Sequence, residues 1–104
     1  MQKVNLKMYS VEFNCMVHYD KYQEGNGHRI DLIDISDGTP VATATVNVPG
    51  IELKKNEVII KNYSENEGIY DALIEQNIIK HTDKFVKISE FITAPIATLV
   101  KSPK

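Results

Sequence analysis

Three histidines, one cysteine and fourteen acidic residues are the side chains from which catalysis or metal binding would have to be built. His18, His28 and His81 stand far apart, with no His-Glu-x-x-His run and no cysteine pair. Metal ligands usually arrive at short, recognisable spacings, so no metal site is expected. Cys15 lies in the alternating apolar segment Val11, Phe13, Cys15, Val17. It reads as a buried, inert thiol, and a lone cysteine leaves no intrachain disulfide. Asp31 and Asp34 come nearest to an acid–base pair, yet three residues apart on a strand they point to opposite faces unless a bulge intervenes. No Gly-x-Ser-x-Gly elbow and no phosphate loop with Lys-Ser/Thr is present. Gly25-Asn26-Gly27 gives half of a dinucleotide fingerprint, but no helix follows, so it reads as a turn. The expectation is a protein that is not an enzyme and uses neither a metal nor a cofactor.

The densest polar stretch is Asn62-Tyr63-Ser64-Glu65-Asn66-Glu67. Ser64 and Glu67 have the spacing of a capping box, in which the hydroxyl accepts from an early backbone N–H and the glutamate reaches back. A helix is therefore expected over about 65–77, with Asn77 as a left-handed stop. At about 100° per residue, Ile69, Ala72, Leu73 and Gln76 fall on its core side. Glu67, Asp71 and Glu75 recur at i, i+4 and i+8 as an acidic ridge, with Tyr70 and Ile74 between ridge and core. Like charges at that spacing repel by roughly 0.2–0.5 kcal/mol, so the ridge does not serve the helix. It is either a solvated face or a docking face, where the acids steer a basic partner and the apolar residues make contact. Docking would use Tyr63, Glu65, Glu67, Tyr70, Asp71 and Ile74. A site for a small ligand or nucleotide, lined by Asn47, Asn62, Tyr63 and Asn66, is the alternative. A phosphate at the helix start itself is disfavoured, because the cap occupies donors and two glutamates repel it.

Strands must hold these residues. Val4, Leu6 and Met8 share one alternating phase, and Val11, Phe13, Cys15, Val17 and Tyr19 the other. The switch near Tyr9-Ser10 implies a bulge, a bend or two strands, and residues 3–19 read as one long, interrupted strand. Residues 20–28 read as a hairpin loop. Arg29 to Ile35 is a second strand whose apolar set shifts from Ile30 and Leu32 to Ile33 and Ile35, which implies a kink or burial on both faces. Asp37-Gly38 centres a turn. Val41 to Val48 is the cleanest strand, with Ala42, Ala44, Val46 and Val48 on one face, and Pro49-Gly50 stops it. Val58-Ile59-Ile60 is a short buried strand. Two or three strands follow around 78–80, 85–91 and 96–100, punctuated by Thr82-Asp83 and Ala94-Pro95. Residues 1–2 and 101–104 are expected to fray.

The fold class is accordingly α+β: one domain over 1–104, an antiparallel twisted sheet of about five to seven strands, and one packed helix. Repeated strand–helix alternation, as a Rossmann fold needs, is missing. With 104 residues the chain holds one modest core. Its formal net charge of −2 and pI near 5.9 lack the basic excess usual in nucleic-acid binders, so nucleic acid is not the expected partner. A nucleic-acid-associated role is the third reading, through the local Lys54-Lys55 and Lys84-Lys87 patches. The start of the chain carries no signal peptide and no window is apolar enough to span a bilayer, so the cytoplasm is expected. Exposed strand edges raise the possibility of a homodimer, pairing through 41–48 or the C-terminal strand.

Asp37-Gly38-Thr39-Pro40-Val41-Ala42-Thr43-Ala44-Thr45-Val46-Asn47, followed by Val58-Ile59-Ile60-Lys61-Asn62-Tyr63-Ser64-Glu65-Asn66-Glu67-Gly68, resembles small uncharacterised proteins carried by phages, plasmids and integrative elements of Firmicutes and gut bacteria. Those proteins share an "ATVN" strand and a "YSENEG" helix start, and the resemblance covers roughly residues 26–79. It implies an accessory role in mobile-element biology, including interference with host defence through binding a host protein. It implies no particular activity.

Overall fold

The computed structural model describes residues 2–8, 10–23, 27–48 and 50–100, with Glu65 described by its backbone alone. The expected turn residues Tyr9, Gly25, Asn26 and Pro49, together with Met1 and the tail 101–104, lie outside the described residues. Seven antiparallel strands in two sheets and one α-helix make up the described residues, an α+β fold. The strands are β1 (Lys3–Met8), β2 (Val11–Lys21), β3 (His28–Asp34), β4 (Pro40–Thr43), β5 (Glu57–Ile59), β6 (Ile79–Lys87) and β7 (Thr93–Leu99). The helix, α1, spans Ile69–Glu75. No helix among the described residues is long and apolar enough to cross a membrane.

The first sheet has the order β1-β2-β3-β4. Its register explains the change of phase near residue 9. Met8 pairs with Val11, Leu6 with Phe13 and Val4 with Cys15, so even positions on β1 share a face with odd positions on β2. The two phases therefore form one face of a tight hairpin, two antiparallel strands where one long, interrupted strand was expected. Ser10, at φ 64°, turns the chain in the left-handed region. Val17 and Tyr19 face Leu32 and Ile30 in turn, and Cys15, Ile30 and Leu32 are fully buried. The expected kink in β3 is a register shift between Leu32 and Ile33. At the start of the chain, the Gln2 carbonyl accepts from the Val17 N–H (2.9 Å) and its side chain accepts from the Tyr19 hydroxyl, so Gln2 is anchored where fraying was expected.

The segment expected as one strand over 41–48 is shorter as a ladder, because it changes partners. The Ala44 N–H still donates to Ile30 of β3, while its carbonyl accepts from Lys61 and the Val46 N–H donates to Ile59. A bridge between Thr45 and Ile60 marks the crossing into the second sheet. The expected single face is consequently divided. Ala42 and Ala44 pack in the main core, and Val46 and Val48 in a second cluster around Ile59, Val86, Ala94 and Ile96.

The second sheet has the order β5-β7-β6. The C-terminal strand β7 is its centre, paired on both sides, which removes it as a dimer edge. In place of two separated strands, 79–87 is one strand with a bulge between His81 and Phe85. Thr82 and Asp83 fall inside this bulge. Pro95, in register with Phe85 at the end of the bulge, has no N–H to give the ladder, and proline is tolerated where pairing is already interrupted. The Thr82 hydroxyl donates to the Ile96 carbonyl and fills part of the gap.

Helix α1 packs against both β1 and β6. Ile69 and Leu73 are fully buried among Leu6, Ile30, Ile60, Ile79 and Leu99, so one core joins both sheets and the helix. Ala72 is half-buried, but Gln76 is exposed, because the helix ends beneath it. The end follows expectation: Asn77 adopts φ 60°, its N–H donates to Ile74, and the Ile78 N–H donates to Leu73 (2.9 Å). Both bonds together form a Schellman motif, with Ile78 and Leu73 in contact in the core. The beginning does not follow expectation. Residues Ser64–Asn66 form a 3-10 turn, Ser64 has φ 56°, Glu67 is extended at ψ 129°, and Gly68 precedes the helix at φ 95°. No capping box forms.

Candidate functional site

The asparagine ahead of the expected cap does the capping. Asn62 Oδ1 accepts from the N–H groups of Gly68 (3.1 Å) and Tyr70 (3.0 Å), satisfying two donors that a helix start leaves free. Asn66 is buried, and its Nδ2 donates to the Thr43 carbonyl (2.7 Å), tying the 3-10 turn to β4. Two of the three amides of the expected ligand site, Asn62 and Asn66, are thus engaged in holding the loop. Tyr63 is half-buried against the second cluster, with the Lys61 ammonium 5.9 Å from its ring centre. Asn47 stands elsewhere, in the wall of a cavity whose lining includes neither Asn62, Tyr63 nor Asn66.

Of the docking candidates, Glu67 and Asp71 are exposed, while the Glu65 side chain lies outside the described residues. With Glu67 outside the helix, the three-residue acidic ridge reduces to Asp71 and Glu75 on α1. Tyr70 and Ile74 are half-buried and pack on the main core, so much of their apolar area is already used. The Tyr70 hydroxyl meets His81 Nδ1 at 2.6 Å, and His81 Nε2 lies 3.3 Å from Asp83 Oδ1. The rings stand edge to face, 6.2 Å apart. A carboxylate, an imidazole and a hydroxyl in a line have the connectivity of a proton relay. Burial, and secondarily the Asp71 charge, push the Tyr70 phenol up, which is the wrong direction for a nucleophilic phenolate. His81 and Asp83 are exposed to water. The arrangement serves as a latch between α1 and β6.

Cys15 is fully buried, and burial followed by the Asp34 charge pushes its thiol up. Asp31 accepts from Thr43 Oγ1 (2.8 Å) and Arg29 Nε (3.1 Å), and Asp34 accepts from the backbone and hydroxyl of Ser36. Both carboxylates thus act as local structural acceptors. No group of three or more potential metal ligands occurs among the described residues.

Two features were not legible as sites in the sequence. The first is a cavity of about 390 Å³ between the start of β3, the segment 46–56 and β5. Tyr22 forms one wall, its hydroxyl sharing a hydrogen bond with the buried Thr45 Oγ1 (2.8 Å) and Arg29 lying 6.0 Å from its ring centre. His28 Nε2 donates to the Lys55 carbonyl (2.8 Å), while Nδ1 is shielded and has no hydrogen-bond partner among the described residues. Glu57 is buried. The Lys84 ammonium, which pairs with its Oε2, and the Lys54 N–H, which donates to Oε1 (2.9 Å), hold its carboxyl below the ordinary range. The second feature is the β6–β7 hairpin, where Phe91 is 92% and Phe85 61% exposed. Phe85 faces away from the buried Val86, as strand alternation requires. Comparison of the chain with protein-family models, with curated proteins and with solved structures returned no match.

Proposed function

We propose that this protein is a small, non-enzymatic accessory protein of a phage or other mobile element, and that it acts in the cytoplasm by binding a host or element-encoded protein. Components of host defence systems are the partner class the proposal favours. The mobile-element assignment rests on the "ATVN" and "YSENEG" resemblance. The binding role is carried by one observation, the exposure of Phe85 and Phe91 on a single hairpin. Exposed aromatic side chains contribute strongly to protein interfaces and cost little entropy to order. Lys84 and Lys87 flank Phe85, and Glu90 precedes Phe91, giving the hairpin the polar surroundings of an interface rim. The exposed acids Glu67 and Asp71 supply a second, electrostatic face that would steer a basic partner.

The test is partner capture from the native host with three versions of the chain: unaltered, Phe85→Ser with Phe91→Ser, and Glu67→Lys with Asp71→Lys. All these positions are exposed, so the fold is expected to survive, as circular dichroism will verify. Loss of a reproducible partner in the phenylalanine variant supports the hairpin. A slower association without loss of the complex in the charge-reversed variant supports steering. Identical capture by all three removes both faces from the account.

A further inference from the structure

The cavity beside β3 gathers three lysines and one carboxylate in its lining. Lys21, Lys54 and Lys55 stand around it in a chain whose formal net charge is −2. None of the three ammonium groups makes a close ion pair among the described residues, although the Lys54 charge also acts on Glu57. The one carboxylate in the lining, Glu57, is already matched by Lys84, which approaches from β6 outside the cavity. Positive charge is therefore left over at the rim. The interior is different in character. Val46, Val48, Ile51 and Leu53 contribute an apolar wall, and the Tyr22 ring, pinned by Thr45, faces it across the opening. A volume of about 390 Å³ is in the range of pockets that enclose small organic ligands.

We propose that this cavity binds a small organic phosphate, with the phosphoryl group among Lys21, Lys54 and Lys55 and the apolar or planar body against Val46, Val48 and Leu53. Three ammonium groups against a single lining carboxylate offer a dianion charge-assisted hydrogen bonds, while a bare apolar wall gains nothing from an inorganic ion. His28 is a positioning residue, since its Nε2–H bond to the Lys55 carbonyl fixes the loop that carries two of the lysines. The site is separate from the β6–β7 hairpin and stands or falls independently of the partner-binding role.

The test is an NMR and calorimetric titration of the whole chain with adenosine 5′-monophosphate, phenyl phosphate, adenosine and inorganic phosphate. At least one of the two organic phosphates is expected to bind saturably, shifting the amides of Val46, Val48, Leu53, Lys54 and Lys55. Adenosine and inorganic phosphate are expected to bind at least roughly tenfold more weakly, because each lacks one half of the recognised group. Lys54→Ala with Lys55→Ala, and separately Lys21→Glu, should raise the Kd roughly tenfold or more while leaving the remaining spectrum unchanged. His28→Ala should weaken binding without abolishing it. The proposal is overturned if neither organic phosphate binds, if the lysine variants bind as well as the unaltered chain, or if inorganic phosphate binds equally well, which would mark an adventitious ion only.

Discussion

Replacing Asn62 with alanine separates two accounts of how the helix begins. The spacing of Ser64 and Glu67 assigns the cap to Ser64, whereas the structure has one Asn62 oxygen accepting from both Gly68 and Tyr70. Loss of an ordinary cap costs about 0.5–2 kcal/mol. Because two donors lose their acceptor at once, Asn62→Ala is expected in the upper half of that range, about 1.3–2 kcal/mol. For a domain near 100 residues each kcal/mol lowers Tm by about 4–8 °C. Ser64→Ala removes a hydroxyl that caps nothing and should stay within about 0.5 kcal/mol. Asn62→Asp keeps the acceptor and adds a negative charge at the positive end of a helix, so it should match or exceed the unaltered chain. Urea denaturation, with the midpoint converted through a shared m-value, reads all three. The reasoning is refuted if Ser64→Ala costs more than about 1 kcal/mol while Asn62→Ala is neutral.

Three further outcomes follow from the same contacts. The Glu57 carboxyl is held below its ordinary value of 4.5 by Lys84 and the Lys54 N–H. Its stabilisation is therefore fully present above that value and is lost as pH falls through the lowered folded one, so Glu57→Gln should flatten urea midpoints measured between pH 6 and pH 3. Cys15 should resist a thiol reagent in the native state and react on unfolding. Because its folded pKa is raised, the stability it supports should also decline as pH rises above the ordinary 9.0. Gly68 has open space around it but sits at φ 95°, so Gly68→Ala should cost about 1–2 kcal/mol through backbone strain alone, measurable by thermal melting.

Much of the fold was legible because strand alternation is a local signal. Val4, Leu6, Met8 and Cys15 declared their buried face, but the phase switch at residue 9 fits a bulge, a bend or a hairpin alike and did not choose among them. Asn77 and its neighbours likewise carried the helix stop in their own chemistry. What local pattern could not carry was partnership. Nothing in residues 41–48 records that the Ala44 N–H bonds to β3 while the Val46 N–H bonds to Ile59 of β5. The capping box failed for the same reason: Asn62 and Asn66 found better partners at Tyr70 and Thr43, and Gly68 opened the chain into the left-handed region between them. The cavity assembles Lys21, Asn47 and Lys54 from three separate segments, so only long-range pairing brings its charge together. The exposure of Phe85 was readable in principle, since it alternates with Val86. The bulge at 82–84 hid which of the two pointed inward.

The partner-binding account is tested most directly by a photocrosslinking amino acid placed at position 91 in the native host, with position 12 on the exposed side of β2 as the control. The account predicts a discrete protein adduct from position 91 that disappears when Phe85 is changed to serine, and none from position 12. No adduct from position 91, or the same adduct from both positions, would contradict it.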